Sequence, residues 1–535
     1  MRVALAQINS VLADFKYNSQ LISDRISELA AKKAELIVFP EASLFGYHPF
    51  DLLERKQLIS EQNKALKKII KNIPKGCHVL VGGFEKNTKA GRPYYNSVFL
   101  CTKNKIVKTF RKELLPTGDV FDEARFVEKG NLKNNYFQIG QKKFFLTICE
   151  DIWAWGNKDY KENPLKSVPR KKVDLVINMS ASPFYLSKMT QRKYVTAQTA
   201  KYFKAPLLYV NLVGAQDEVI YDGRSFLIDA KGKIIFQQLA FEEDTNVFDL
   251  NNLDSWSKRK TDEKVTDLLR KSLVLGIKDY VAKTGFNKVH LGLSGGIDSA
   301  VVAALAVDAV GPQNVSLFAL PTQFNLPESY DVASALAKNL NCKLEVFSIQ
   351  SIFEKVKLEI DQFFGINEFS LVHENLQSRI RGLFLMAYSN LQQSLLLTTG
   401  NKSEMATGYA TLYGDMCGGL APIGDLTKKQ VYDIAKSYNA EGIVIPEFII
   451  TRPPSAELRP NQKDQDSLPP YDQLDAAVSK IVEFKKDANS SVEKWLLGRL
   501  MVTEFKRWQA PPILKVSEHS FGRGRRYPIA HKATL

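Results

Sequence analysis

Short apolar runs alternate with longer amphipathic stretches along the first half of the chain. Apolar runs of this kind predict buried strands, and stretches with helical periodicity predict helices that pack on them. The predicted strands are 3–8, 36–39, 79–82, 98–101, 144–149, 173–178 and 207–211, and the predicted helices are 18–34, 58–73 and 188–203. A hairpin is predicted at 224–238, around a turn that contains glycine. The first half is therefore interpreted as a layered α/β domain.

The pattern changes near the middle of the chain and then resumes. From about 241 to 264 the sequence is polar, acidic and rich in asparagine, which predicts a linker. A second alternation follows, with helices at 265–284, 300–310 and 329–339 and strands at 288–293, 315–320 and 344–348. Strands separated by helices predict a parallel sheet, whose ligands bind at the carboxyl ends of the strands. We expect one domain over 1–250, a linker over 251–264 and a second domain over 265–535.

Length and composition agree with a multidomain globular protein. The chain has 535 residues, which exceeds one ordinary hydrophobic core, and it is 44% hydrophobic and 24% charged. No apolar run is long enough to cross a bilayer, and Asp14 and Lys16 soon end the hydrophobicity of the N-terminal segment, which argues against a signal peptide. The five cysteines are scattered and lack CxxC spacing, which argues against a disulfide framework or a zinc site. We expect a cytoplasmic protein.

The formal net charge of +15 has several possible explanations. Lysines are spread over most predicted helices, as on a solvated surface, and a basic balance also suits polyanionic small molecules or nucleic acid. The basic cluster at 523–526 is short and has one neighbouring tyrosine, which favours a phosphate or carboxylate clamp over an RNA-binding tail. We expect no nucleic-acid or membrane partner, and a basic RNA-binding protein is the non-enzymatic alternative.

The segment 291–299, LGLSGGIDS, lies between a predicted strand and a predicted helix. Gly295 and Gly296 allow the backbone to approach a ligand, and the first N–H groups of the helix attract an anion, so the segment predicts a phosphate site. A Walker loop is excluded because no Gly-Lys-Ser/Thr follows. Asp298 fits a site where a carboxylate shares a cation such as Mg²⁺ with phosphates.

Two other interpretations of this loop stay open. Asp298 could simply cap an ordinary α/β turn. The same residues also satisfy the G-x-S-x-G nucleophile elbow, which would make Ser294 the nucleophile of a serine hydrolase with a downstream aspartate and His519.

Three residues with chemical potential follow predicted strands in the first half: Glu41, Lys112 and Cys149. Taken singly, each has an ordinary explanation, since strand-end acids, surface lysines and small buried cysteines are common. With the blocks FPEASLFGY, RKELLP, LTICEDIW and INMSASPF, however, they resemble the nitrilase (carbon–nitrogen hydrolase) superfamily. That resemblance implies an αββα sandwich.

The resemblance also implies roles for these residues. Cys149 would be the nucleophile, Glu41 the general base and acid, and Lys112 the group that stabilises an oxyanion. Glu123 would position Lys112 or the substrate, and Ser182 and Lys188 match positions that hold glutamine in the relevant subfamily. At Gly118 the sequence departs from the family, which usually has a tyrosine there that contacts glutamine, so the resemblance does not set the glutamine affinity.

In the second half, SGGIDS resembles the pyrophosphate loop of the N-type ATP pyrophosphatases, a parallel-sheet, adenine-nucleotide α-hydrolase-like fold. The blocks HENLQSRIRG, LTTGNKSE, GDMCGG and IGDLTK accompany it in order, so the whole chain resembles the glutamine-dependent NAD⁺ synthetases. The ATP-binding residues implied are Gly292, Leu293, Ser294, Gly295, Gly296, Ile297, Asp298, Ser299, Thr399, Lys428 and Ser455. The residues implied for deamido-NAD⁺ are Asn375, Glu404 and Lys515, and those implied for Mg²⁺ are Asp298 and Glu404.

The implied reaction is the conversion of deamido-NAD⁺, ATP and glutamine to NAD⁺, AMP, pyrophosphate and glutamate. ATP would activate the nicotinate carboxylate as an adenylate, and ammonia from glutamine would displace AMP. Because free ammonia in water is mostly protonated, a protected tunnel between the domains is expected. A homo-oligomer is expected by analogy. Another adenylating amidotransferase, such as one acting on a nucleotide base, is the enzymatic alternative.

Overall fold

The computed structural model describes residues 1–157, 159–253 and 263–533, which form two compact units, Met1–Asp262 and Glu263–Leu535. Most of the predicted linker, 254–262, lies outside the described residues. In the part of the chain that is described, no helix combines the length and the apolar character that crossing a membrane requires.

In its described residues, unit 1 contains two six-stranded sheets, two short two-stranded sheets and three α-helices. The helices are α1 (Phe15–Ala31), α2 (Lys56–Asn72) and α3 (Lys188–Phe203). The strands are β1 (Arg2–Gln7), β2 (Leu36–Val38), β3 (His78–Lys86), β4 (Tyr94–Thr102), β5 (Lys105–Arg111), β6 (Thr117–Gly118), β7 (Phe121–Asp122), β8 (Tyr136–Ile139), β9 (Lys142–Ile148), β10 (Leu175–Ser180), β11 (Leu207–Asn211), β12 (Val213–Gln216), β13 (Val219–Asp222), β14 (Phe226–Ile228), β15 (Ile234–Gln237) and β16 (Asp244–Asp249).

The two sheets pack face to face, and helices cover their outer faces. Strand order is β16-β1-β2-β3-β4-β5 in the first sheet and β15-β14-β11-β10-β9-β8 in the second. Alternate residues of β1 divide between two cores: Val3 packs with Phe144 of the other sheet, whereas Ala4 packs with Ile26 of α1. On the far side, α3 packs on the second sheet through residues such as Phe203. The predicted αββα layering is confirmed.

The first part of the stretch interpreted as linker from its composition, 241–264, is a strand. The polar stretch that begins near 241 was interpreted as linker, yet β16 lies within it and pairs antiparallel with β1 along its whole length. Its sequence, DTNVFD, is polar because β16 is an edge strand, and Phe248 is its only fully buried side chain. An edge strand of this kind lacks the apolar run from which strands are predicted.

Unit 2 is a four-stranded parallel sheet surrounded by helices. The strands are β17 (Val289–Gly292), β18 (Val315–Ala319), β19 (Lys343–Val346) and β20 (Leu395–Leu396). The helices are α4 (Val265–Lys283), α5 (Ile297–Val310), α6 (Pro327–Asn339), α7 (Gln350–Phe364), α8 (Leu371–Gln392), α9 (Lys402–Thr407), α10 (Lys428–Tyr438), α11 (Glu447–Thr451), α12 (Tyr471–Val478), α13 (Ser491–Val502) and α14 (Glu504–Arg507).

The order β19-β18-β17-β20 is parallel throughout, as the alternation of strands and helices predicted. The glycine loop joins the carboxyl end of β17 to α5, and most of α5 is buried, which explains why its sequence is almost entirely apolar. The segment 452–470 is irregular apart from one short turn, Asp464–Asp466.

Candidate active sites

The ends of three strands in unit 1 bring Glu41, Lys112 and Cys149 together. Lys112 and Cys149 follow β5 and β9 directly, and Glu41 lies shortly after β2. The Lys112 ammonium donates to Glu41 Oε1 at 2.8 Å, and both side chains are fully buried. The charges of Glu41 and Lys112 both act on the Cys149 thiol. The three residues that the sequence singled out therefore form one buried cluster.

Lys112 is held by a second carboxylate. Its ammonium donates to Glu123 Oε2 at 2.6 Å, and Asn96 Nδ2 bridges the two acids at 2.8 Å from Glu41 Oε1 and 2.5 Å from Glu123 Oε1. A buried ammonium is tolerated only when it is well paired, and here two acids fix its position. This contact is the one expected if Glu123 positions Lys112, one of the two roles predicted for it. Asn96 was not predicted, because one asparagine inside a strand gives no signal of chemistry.

Cys149 stands in a constrained backbone position. Its φ of +42° lies in the left-handed region that is unfavourable for residues other than glycine, and it begins a short turn, Cys149–Ile152. Burial raises the pKa of the thiol well above its usual value, the nearby charge of Glu41 raises it further, and Lys112 opposes both. The resting sulfur is therefore a protonated thiol at neutral pH, and its attack on a carbonyl needs a base.

This protonation state leads to a prediction about alkylation. Because only the thiolate reacts, the rate at which iodoacetamide modifies Cys149 should rise about tenfold per pH unit between about pH 6 and pH 9, without a plateau. Peptide mass spectrometry after timed exposure measures the rate at each cysteine. The partly exposed Cys342, whose pKa burial raises to about 11, provides the comparison in the same sample. A plateau for Cys149 near neutral pH would show instead that Lys112 dominates and that the resting sulfur is a thiolate.

Asp151 fixes the turn that carries the thiol, a role that the sequence analysis missed. Its buried carboxylate accepts from the backbone N–H of Ile148 at 2.8 Å and from those of Glu113 and Leu114 at 2.9 Å each. It therefore ties the end of β9 to the residues that follow Lys112. The EDIW motif placed an acid here, but two of its partners, Glu113 and Leu114, lie far upstream, so local spacing could not reveal this role.

The residues predicted to hold glutamine lie at different depths. Ser182 is buried: its N–H donates to Asn211 Oδ1 at 2.9 Å, and its hydroxyl accepts from Arg192 Nε at 3.3 Å. Lys188 is half-buried at the start of α3, with its ammonium 3.7 Å from the centroid of the Trp153 ring. Ser182 thus lies directly after Ala181, whose N–H donates to Glu41 Oε2 at 2.8 Å.

A further acid, Glu150, lies next to Cys149 in this site. Glu150, which was not predicted, accepts a hydrogen bond from the Tyr160 hydroxyl. Burial raises the pKa of Glu150, while the charges of Lys112 and Lys188 lower it.

Gly118 is exposed in the β6–β7 hairpin with a φ of +123°, a conformation that is strained for other residues.

Unit 2 contains a cavity of about 420 Å³ at the carboxyl ends of β17 and β18. The cavity is lined by most of the predicted ATP residues and by Glu404: Gly292, Leu293, Ser294, Gly296, Ile297, Asp298, Ser299, Thr399, Glu404, Lys428 and Ser455. Gly295 supports the loop from behind, since a Cβ there would lie 2.4 Å from the backbone oxygen of Ser329. Its φ of +75° also favours glycine.

A charged cluster lies beside this loop. The Lys428 ammonium contacts Asp298 Oδ2 at 2.5 Å and Glu404 Oε1 at 3.4 Å, and Asn401 Nδ2 donates to Asp298 Oδ1 at 2.9 Å. Burial raises the pKa of Glu404 to about 8, and the charge of Asp298 adds to this shift. Two adjacent carboxylates that share one ammonium, that of Lys428, are a suitable partial ligand set for a divalent cation. Within the described ranges no group of three or more His, Cys, Asp or Glu forms a complete metal cage, so phosphate oxygens would have to complete the set.

Two predicted deamido-NAD⁺ residues do not line the cavity. Lys515 is buried and donates to the backbone oxygens of Ser517 at 2.9 Å and Glu518 at 2.5 Å. Asn375 in α8 accepts from the Thr411 hydroxyl at 2.7 Å. Of the three residues predicted for this substrate, only Glu404 lies at the cavity.

The arrangement around Ser294 differs from that of a serine hydrolase. Its hydroxyl lies 3.1 Å from Ser299 Oγ, within the loop itself. The proposed partner His519 donates from Nδ1 to the Glu483 carbonyl at 2.6 Å and does not line the cavity. A serine–histidine pair at Ser294 is thus not present in the described residues.

Both units match families of known proteins. The carbon–nitrogen hydrolase family profile matches residues 2–258, and the NAD synthase profile matches residues 269–510, so the chain combines these two classes of domain. Glutamine-dependent NAD(+) synthetases from Synechocystis sp. and Xanthomonas campestris are 40% and 38% identical to it, over 99% of this chain and 98% and 97% of theirs. The chain belongs to the glutamine-dependent NAD(+) synthetase family.

A solved structure supports the same assignment. The glutamine-dependent NAD⁺ synthetase from Acinetobacter baumannii, in complex with ADP, is 33% identical and superposes with a TM-score of 0.79, covering 99% of this chain and 98% of that one. The similarity thus extends over both units and is not confined to one domain.

Proposed function

We propose that this protein makes NAD⁺ from deamido-NAD⁺, using ATP and glutamine and releasing AMP, pyrophosphate and glutamate. One observation carries the proposal: a buried Cys–Glu–Lys cluster and a phosphate loop beside paired carboxylates occur in one chain that matches its relatives end to end. The proposed glutaminase domain is 1–250 and the proposed synthetase domain is 265–535.

Glutamine hydrolysis follows from the contacts of the buried cluster. Cys149 attacks the carboxamide carbon, and Glu41 takes the thiol proton, which explains how a thiol with a raised pKa can react. The Lys112 ammonium, fixed by Glu41 and Glu123, stabilises the negative charge that develops on the carbonyl oxygen. Glu41 returns the proton to the departing ammonia and then activates the water that hydrolyses the thioester.

Substrate orientation in this site uses groups of opposite charge. Glutamine carries an α-ammonium and an α-carboxylate besides its reactive amide. We assign Glu150 to the α-ammonium and the half-buried Lys188 to the α-carboxylate. Both residues lie close to the cluster, since the charges of Lys112 and Lys188 both lower the pKa of Glu150. Ser182 then shapes the wall next to Glu41.

In the second site, the glycine loop and the start of α5 bind the ATP phosphates, and the nicotinate carboxylate attacks the α-phosphate to form an adenylate. Lys428, which contacts both Asp298 and Glu404, lies beside the loop, where its ammonium can neutralise negative charge on the ATP phosphates. Thr399 and Ser455 line the same cavity and are assigned to ATP contacts. Ammonia attacks the carbonyl carbon of the adenylate, and AMP leaves.

Mg²⁺ is proposed as the cation of this site. Asp298 and Glu404 would hold it, and it would supply electrostatic stabilisation of the phosphate oxygens. Burial, and after it the charge of Asp298, raises the pKa of Glu404 to about 8, and a bound cation would favour the ionised form of both carboxyls. We also propose that Asn375 and Lys515 bind deamido-NAD⁺, although their present contacts are with protein groups.

The direct test is mass-spectrometric detection of NAD⁺ from deamido-NAD⁺, ATP and Mg²⁺ with either glutamine or ammonium as nitrogen source. NAD⁺ should form with both donors, in stoichiometry with AMP. Other carboxylate acceptors, including nucleotide bases, tested in parallel separate this activity from that of another adenylating amidotransferase. Product formed only with such an acceptor would overturn the assignment of deamido-NAD⁺.

Assembly and location are also proposals. A homo-oligomer is supported by apolar side chains that α7 and α8 leave more than half exposed: Leu358, Phe363, Phe364, Leu371, Leu383 and Leu391. Sedimentation analysis measures the assembly, and a monomer at micromolar concentration would contradict it.

A cytoplasmic location is supported by the five cysteines, all of which are unpaired thiols.

A further inference from the structure

A network of polar side chains connects the irregular segment 452–470 to the wall behind the phosphate loop. Arg452 Nη1 donates to Ser329 Oγ at 2.7 Å and to Glu457 Oε1 at 3.1 Å. Ser329, in the first turn of α6, donates from its hydroxyl to the same Glu457 oxygen at 2.6 Å. The other oxygen of Glu457 accepts from Asn325 Nδ2 at 3.0 Å. The guanidinium is therefore held on one side by two groups, Ser329 and Glu457, which are bonded to each other, and Asn325 in turn holds Glu457.

The other side of the guanidinium faces the loop. A Cβ added to Gly296 would lie 4.0 Å from Arg452 Nη2, and Arg452 lines the cavity together with Gly296 and Ser294. Within the described parts of the chain, the hydrogen bonds and ion pairs of Arg452 all use Nη1, so the donors of Nη2 have no protein acceptor. The side chain is nonetheless only 11% exposed. A mostly buried guanidinium with donors directed at a phosphate loop is suited to an anionic ligand.

We infer that Arg452 binds the β- and γ-phosphates of ATP, and the pyrophosphate formed from them, with Glu457 and Ser329 as positioning residues. The inference rests on the proposed ATP-dependent function. It gives the segment 452–470 a chemical role, because its first residue contributes a charge to the phosphate site. Ser455 was predicted from the sequence but Arg452 was not, since an arginine before two prolines carries no motif.

The test compares two ligands that differ in their phosphates. The probes are α,β-methylene-ATP, which carries a triphosphate, and AMP, which lacks the β- and γ-phosphates; calorimetry measures the affinity of each. Arg452→Gln should weaken binding of the methylene analogue about 10- to 100-fold, the effect typical of a lost hydrogen bond between charged groups, and AMP binding by less than about threefold. Arg452→Lys should lose less, because it keeps the charge without the planar fork.

The matched control is Arg459→Gln. Arg459 belongs to the same segment and pairs with Asp466 at 3.4 Å but does not line the cavity, so its loss should leave both affinities unchanged. Glutamine hydrolysis and the melting temperature of each variant show that the protein is folded. Equal weakening of the analogue and AMP by Arg452→Gln, or no weakening of either, overturns the assignment.

The positioning role of Glu457 is tested separately. Because Glu457 is expected to act through Arg452, the double variant Arg452→Gln/Glu457→Gln should bind the analogue no more weakly than Arg452→Gln alone. Additive losses would show that Glu457 acts on its own. Failure of the proposed function gives a different result from failure of this inference. If only the proposed function is wrong, the wild-type protein makes no NAD⁺, but Arg452→Gln still weakens binding of the analogue.

Discussion

Replacement of Cys149 by alanine is expected to abolish glutamine-driven NAD⁺ formation and to leave ammonia-driven formation intact. Without the sulfur no thioester forms, and the remaining Glu41–Lys112 pair has no nucleophile to activate. The loss should be roughly 10⁴-fold or more, as for other enzymes that lose their nucleophile. The measurement is NAD⁺ production by mass spectrometry with saturating glutamine and, separately, with a high concentration of ammonium.

The control for this experiment is Cys77→Ala. Cys77 is also a buried thiol of unit 1, but it packs in the core between the first sheet and the helices, away from Glu41 and Lys112. This variant should keep both activities within about twofold, apart from a modest loss of stability from the small cavity. If Cys149→Ala reduces turnover equally with both nitrogen donors, the proposed division of labour between the two sites is wrong.

The general architecture could be predicted because the central strands of both units are buried. Residues 144–149 and 207–211 are apolar runs, and they form central strands of the second sheet as β9 and β11. The parallel sheet of unit 2 followed from its alternation with helices. β16 could not be predicted, because its hydrogen bonds come from β1, more than two hundred residues away in the chain, and not from local apolar character.

The sites were predictable only to the extent that motifs marked them. Glu41 and Lys112 are 71 residues apart, and Asp298 and Lys428 are 130 apart, so no local spacing could join them. The family resemblance brought them together, and the structure shows the contacts. Asp151 and Arg452 carried no such signal, because the function of each depends on groups that only folding places beside it.

Replacement of Asp298 by asparagine is expected to stop NAD⁺ formation with either nitrogen donor while glutamine hydrolysis continues. Asparagine keeps the size of the side chain but removes the charge that Lys428 contacts at 2.5 Å and that we assign to holding Mg²⁺ beside ATP. Loss of this electrostatic contribution should lower ammonia-driven turnover roughly 10³-fold. Release of AMP and pyrophosphate measures adenylation, and release of glutamate measures the glutaminase.

Asp308→Asn is the matched control, because Asp308 lies on the same helix, α5. It accepts from the Tyr438 hydroxyl at 2.8 Å and lies outside the cavity lining. The same chemical change there should leave both activities near the wild-type level. If Asp298→Asn kept ammonia-driven turnover within about threefold of wild type, the carboxylate pair beside the glycine loop would not be the cation site, and adenylation would depend on other residues of the cavity. Loss of glutamate release in the same variant would instead show that the thiol site requires an intact synthetase site.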